Sequence, residues 1–316
     1  MVGLAALIAL AGGFALVQWL GALGTASLAV ALGVAWKVVR MVATIALLDV
    51  VGDAARYLDV NPSNVARRYD ILRGGVSMLR KFHEAHDELL GEVRYRYGRV
   101  VLVGHSLGSV IAYDIIRHYW ADVNGRLRIE GRSAELLKAV AGYDPPPKAG
   151  FAPPHGHDDP DRFRQAQSHA WSSINETTST AETLLSRGFP HPRWLVSDLV
   201  TLGSPLAYAR LLLADGRAEL DAKVRLRELP TCPPDRSTTA NQGYYTVPLS
   251  TEAVPMGDDY HIIHHAAPFA LTRWTNFHLK NDPVGYCLHG VLGQGIRDIW
   301  IDDPDGPCMF KAHTSY

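Results

Sequence analysis

No charged residue occurs between Met1 and Trp36 of this 316-residue chain. That absence argues against an ordinary buried helix, because the run is longer than the roughly 20 apolar residues that cross a bilayer. A cysteine framework is missing too. Cys232, Cys287 and Cys308 are odd in number and lack C-x-x-C spacing, which excludes a disulfide scaffold and a cysteine-based zinc site and leaves ordinary thiols in a reducing compartment. Neither is there an excess of positive charge. The 31 Lys and Arg residues face 32 Asp and Glu for a net charge of −1, and no basic stripe interleaves with aromatics, so no nucleic-acid partner is expected. Internal repeats are absent. What is present is a 47% hydrophobic composition, enough for one large α/β core plus an appendage.

The appendage is the N-terminal apolar block. Met1 to Leu20 is its cleaner span, and Gly21-Ala22-Leu23-Gly24 offers a turn into a second apolar segment from Ala26, which meets Lys37 and Arg40 and continues as Met41 to Val51. A helical hairpin in the membrane fits this pattern slightly better than one span followed by an interfacial helix with Lys37 and Arg40 at the headgroups. A cleaved signal peptide fits least, since a basic n-region is lacking and the run exceeds a typical apolar stretch of about 7–15 residues. Basic residues cluster just after the block (Lys37, Arg40, Arg56, Arg67, Arg68, Arg73), and positive flanks tend to stay cytoplasmic. The expected organisation is a membrane segment over 1–51 and a domain over 52–316 facing the cytoplasm.

Within that domain, Asn61-Pro62 reads as an N-cap with proline at the first helical position. It opens a helix over Ser63 to Leu90 with Val65, Tyr69, Leu72, Val76 and Leu79 at helical spacing, expected to pack on a sheet and open to a break at Gly74-Gly75. Val100-Val101-Leu102-Val103 reads as a buried parallel strand. Helices are expected over Leu107 to Trp120, Ser133 to Tyr143 and Arg162 to Ile174, with a loop over Asp144 to Asp161. Further strands are expected over Trp194 to Leu202, Thr272 to His278 and Ile296 to Ile301.

Between the first strand and its helix lies Gly104-His105-Ser106-Leu107-Gly108. The pattern G-x-S-x-G places a serine on a strained strand-to-helix turn, where flanking glycines relieve crowding and the helix N-terminus, with the Leu107 amide, faces a developing oxyanion. A serine hydroxyl is a weak nucleophile until a histidine takes its proton and a carboxylate orients that histidine. On such a sheet the chain order is serine, acid, histidine. Asp282 follows the strand Thr272 to His278, and His313 lies beyond the last strand, so both fit that order. Asp302, Asp303 and Asp305 fall after the last strand, Asp198 lies inside a strand, and His278 and His289 precede the last strand, so these read as loop, packing or surface residues.

The set Gly-His-Ser-Leu-Gly-Ser, Val200-Thr201-Leu202-Gly203-Ser204-Pro205-Leu206, Trp274-Thr275-Asn276 with Asp282-Pro283-Val284, and His313-Thr314-Ser315-Tyr316 resembles α/β-hydrolase lipases and esterases. More narrowly, it is similar to bacterial membrane-associated lipase-like hydrolases, over residues 100 to 316. The resemblance implies an α/β-hydrolase-like, mostly parallel sheet flanked by helices, a triad of Ser106, Asp282 and His313, and Leu107 as an oxyanion donor. Two departures stand out: the strands that usually precede the nucleophile are not visible, and neither is a His-Gly loop for the second donor, with none in Asp59 to Asn64. Either the chain is a shortened version of a longer one, or Gly52 or a neighbouring amide takes over. His313 also stands three residues from the end of the sequence, which leaves its loop little visible anchorage.

Other constellations point to blander roles. His155-Gly156-His157-Asp158-Asp159 reads as a solvated loop before a chelating one, and His261 and His265 share an i, i+4 spacing without the Glu of H-E-x-x-H. Gly290, Gly293 and Gly295 complete no phosphate-loop pattern. No metal or cofactor is expected. The resemblance thus implies a membrane-associated carboxylesterase or lipase acting on an ester or lipid-like small molecule. An acyltransferase or thioesterase with the same triad, and a non-enzymatic membrane-tethered domain on the same scaffold, remain as alternatives.

Overall fold

The computed structural model describes residues 52–59, 61–89, 92–127, 132–141, 160–175, 193–235, 246–248, 261–302, 313–314 and 316. The expected membrane segment over 1–51 lies outside them. Among the described residues no helix is long and apolar enough to cross a membrane.

Asn61 accepts a hydrogen bond from Ser63 N and, with Pro62 in the first turn, starts helix α1 at Pro62–Glu84. The helix runs unbroken through Gly74-Gly75 but ends short of the expected Leu90. After Ala85 the chain turns into an antiparallel hairpin, β1 at His86–Leu89, which the helical reading had covered, and β2 at Glu92–Tyr95, to which it assigned no element. The guanidinium of Arg193 sits 4.1 Å from the centre of the Tyr95 ring and holds the hairpin. Helix α1 reaches the sheet layer with its C-terminal end, where His83 Nε2 accepts from Leu195 N. It lies on helix α2, Leu107–Val123, where an added Cβ on Gly75 would come 2.3 Å from Ile115 Cδ1, so glycine is what permits the close approach. Arg68 to Asp114 and Arg80 to Asp122 pair across the two helices. Val65 and Tyr69 face outward, and Leu79 and His83 are the buried residues of α1.

Strand β3 at Val100–His105 leads into α2. Helices α3 at Arg132–Ala141 and α4 at Pro160–Asn175 follow, then β4 at Val196–Leu202. Short helices α5 at Ala209–Leu212 and α6 at Arg217–Arg225 precede an antiparallel pair, β5 at Thr246–Pro248 and β6 at His261–Ile263. Strand β7 at Arg273–Leu279, helix α7 at His289–Leu292 and strand β8 at Arg297–Ile301 complete the order. The main sheet is β3-β4-β7-β8, parallel throughout and flanked by helices, and its strands and helices fall within a few residues of the sequence expectations.

Every connection in a parallel sheet must cross over, and the large aromatics are buried among the crossovers. Phe269 stacks on Trp274 at 4.7 Å, and Tyr113 of α2 meets the same ring at 5.6 Å. The three fully buried indoles find acceptors: Trp120 on His264 O, Trp194 on Thr272 Oγ1, Trp274 on Thr201 Oγ1. Strand β3 departs from its buried reading. Among the described strands it lies at the edge of the sheet, where Leu102 packs on the core while Val101 is 47% exposed and Val103 62%, the period-2 alternation of a strand covered on one face.

Candidate active site

The turn from β3 to α2 carries Ser106 at φ 53° and ψ −128°, a left-handed conformation that costs a side-chain-bearing residue and therefore needs support. Three hydrogen bonds supply it: Ser106 N donates to Leu202 O of β4, while Ser109 N and Ser109 Oγ both donate to Ser106 O. Ser109 Oγ in turn accepts from Ser204 Oγ at 2.6 Å, which ties the start of α2 to the end of β4. The two motif glycines differ. A Cβ on Gly104 would lie 2.5 Å from Gly108 O, whereas one on Gly108 would meet nothing within 4 Å. Leu107 is the first residue of α2, so its N–H has no acceptor inside the helix.

Asp282 stands three residues beyond β7, in a turn closed by Asp282 N donating to Leu279 O. Two glycines clear its space. A Cβ on Gly203 (φ +52°) would fall 2.9 Å from Asp282 Oδ2, and one on Gly285 would fall 2.6 Å from the same oxygen and 2.4 Å from Gly203 Cα. The carboxylate accepts from Val284 N, from His313 Nδ1 at 3.0 and 3.1 Å and from Tyr316 Oη at 2.7 Å. Burial pushes the Asp282 carboxyl up, but the donors His313, Tyr316 and Val284 outweigh it and hold the group below the usual carboxylate range.

His313 then reaches Ser106 Oγ with Nε2 at 2.8 Å. Because Asp282 accepts from Nδ1, the neutral ring carries its proton there and presents a lone pair to the serine hydroxyl. Asp282 and His313 are 5% and 8% exposed, so the line of hydrogen bonds is shielded from competing water. Its two ends come from opposite parts of the chain, joined only because β3, β4 and β7 are neighbours.

Two residues at this site carry no role in the sequence reading. His105 Nε2 donates to His313 O at 2.8 Å, and Tyr316 both donates to Asp282 and accepts from Leu279 N at 2.9 Å. The expectation of a poorly anchored His313 loop is therefore corrected, since His105 and Tyr316 hold it on two sides. The His105 ring also lies against those of His313 and Tyr316, with centroids 5.2 and 5.4 Å away. The only sequence signals were proximity, His105 beside Ser106 and Tyr316 three residues past His313. For a second oxyanion donor the Asp59 to Asn64 loop remains unpromising, because its polar groups serve one another: Asp59 accepts from Asn61 N and Asn64 Nδ2.

The competing residues have other partners. Asp198 is paired with Arg99 and Arg273, and His278 Nε2 lies 3.4 Å from Cys287 Sγ. His289 Nδ1 donates to Asp298, which raises the imidazole above its ordinary range. Ligand atoms of Cys287, His289 and Asp298 lie within 4.8 Å of one another. Asp298, however, already accepts from Leu288 N, His289 N, His289 Nδ1 and Asn276 Nδ2, and burial pushes the Cys287 thiol up, so the cluster fastens a loop instead of offering open metal ligands. His261 is in β6 and His265 in the turn after it, so their spacing is not helical. Gly293 and Gly295 admit the Cys232 backbone, to which Gly295 N donates. Asp302 is exposed, and Asp303, Asp305 and the His155 to Asp159 stretch lie outside the described residues. No family model, curated protein or solved structure matches the chain.

Proposed function

We propose that this chain is a serine hydrolase of the α/β-hydrolase type that cleaves carboxylic esters. The observation that carries the reading is the unbroken line Ser106 Oγ, His313 Nε2, His313 Nδ1, Asp282, with separations of 2.8 and 3.0 Å, on a strand-to-helix turn whose serine is held at positive φ. Ser106 Oγ attacks the ester carbonyl carbon as His313 Nε2 takes its proton. The oxyanion that forms is met by the Leu107 N–H at the start of α2. His313 passes the proton to the departing alkoxide as the C–O bond breaks; water, deprotonated by the same ring, then attacks the acyl carbon, and the ring returns that proton to Ser106 Oγ as its bond to the acyl group breaks and the acid leaves. Asp282 fixes the tautomer of His313 and balances the imidazolium in both half-reactions.

The apolar block over 1–51 supports attachment to a membrane with the catalytic part on its cytoplasmic side, and with it a lipid-like ester as substrate. Hydrolysis of p-nitrophenyl esters of short and long acyl chains, compared between the full chain and Ser106→Ala, tests the reading. We expect a loss of roughly 10⁴-fold or more, together with loss of fluorophosphonate labelling. Equal turnover by the two proteins overturns it.

A further inference from the structure

We infer that Tyr316 is a positioning residue for this site: its hydroxyl sets the charge and orientation of Asp282, and through Asp282 the hold on His313. The inference rests on the hydrolase reading for its consequence in turnover, but not for its geometry.

The direction of the hydroxyl proton follows from its neighbours. Leu279 N donates to Tyr316 Oη at 2.9 Å, which occupies a lone pair and leaves the proton for Asp282 Oδ2 at 2.7 Å. That oxygen is also 3.1 Å from His313 Nδ1, so the phenol and the imidazole share one acceptor. A phenol that donates to a carboxylate draws charge from it, and less charge on Asp282 means a weaker pairing with the imidazolium that forms on His313 during the reaction. The ring has little freedom to swing away. A Cβ on Gly203 would come 2.7 Å from Tyr316 Cε2, and the centre of the His105 ring lies 5.4 Å from that of Tyr316. Burial and the adjacent Asp282 charge both push the Tyr316 hydroxyl well above its ordinary range, so it remains a donor at any working pH.

Tyr316→Phe keeps the ring and deletes the donor. In the full-length protein we expect about a tenfold loss in kcat with KM unchanged, and an acidic limb of the kcat/KM profile displaced to higher pH, because the unrelieved carboxylate holds the imidazolium more tightly. The low-field proton resonance of His313 Nδ1 should move as well, and it can be read whether or not the protein turns over any ester. A ring-fluorinated tyrosine at position 316, isosteric and a stronger donor, should move both the limb and the resonance in the opposite direction. A shifted resonance in a protein whose wild type neither hydrolyses esters nor labels at Ser106 would support the positioning role while sinking the hydrolase reading. An unchanged limb and resonance in both variants, even with a lowered Tm, would reduce Tyr316 to packing and overturn the inference.

Discussion

At Gly104 a single methyl group would land 2.5 Å from a carbonyl oxygen and 2.7 Å from Ser109 Cα, so the backbone itself must move to admit it, whereas Gly108 opens onto free space. Gly104→Ala should therefore cost several kcal/mol and scatter the serine turn, while Gly108→Ala should leave the free energy of denaturant unfolding within about 1 kcal/mol of wild type. A comparable loss in both would contradict the geometry. The motif treats the two glycines alike, and only the packed turn separates them. Ser106, Asp282 and His313 were legible because strand order and chain order constrain them jointly. Gly203, Gly285, His105 and Tyr316 were not, because each matters through an atom that lies far away in sequence: His105 meets a carbonyl 208 positions on, and Tyr316 a carboxylate 34 positions back.

Among the elements, α1 shows where periodicity misleads. Its apolar residues Val65, Tyr69, Leu72, Val76 and Leu79 follow a helical repeat, yet the buried end is the C-terminal one and the partner is α2, because Gly75 fits against Ile115. Gly74 has no such neighbour. Gly74→Ala should stabilise the protein by about 0.5–1 kcal/mol, the ordinary gain of replacing glycine within an exposed helix. Gly75→Ala should destabilise it, and Ile115→Val should recover part of that loss in a double-mutant cycle read by thermal unfolding. Additive effects would mean that the two residues do not touch. The hairpin of β1 and β2 escaped the sequence reading because a helix and a short polar hairpin differ little in a segment as charged as His86 to Tyr95. The edge position of β3 escaped it for another reason, since the run Val100 to Val103 is as apolar as a central strand and only the sheet order reveals that no described strand pairs on its far side.

For the molecule as a whole, acid sensitivity is built into its interior. His83 is buried with Nδ1 donating to Leu79 O and Nε2 accepting from Leu195 N, an arrangement that suits only the neutral ring, and burial pushes it down to about 4 from 6.5. A depressed histidine stabilises the fold fully above its unfolded value and progressively less as pH falls from about 6.5 to about 4. Over that window we expect a loss on the order of 2–3 kcal/mol, measured by denaturant unfolding at each pH, and a flatter profile in His83→Gln. An unchanged slope in that variant would place the sensitivity elsewhere. The hydrogen bond between Ser106 and His313 closes a loop of 207 positions, and the one between His313 and Asp282 closes a loop of 31 within it. A contact of such span is among the last that a refolding chain can make. Helices and hairpins can form first, but Ser106 meets His313 only when the parallel sheet is already in order, so the hydrogen-bonded line is a property of the finished fold and of no part of it.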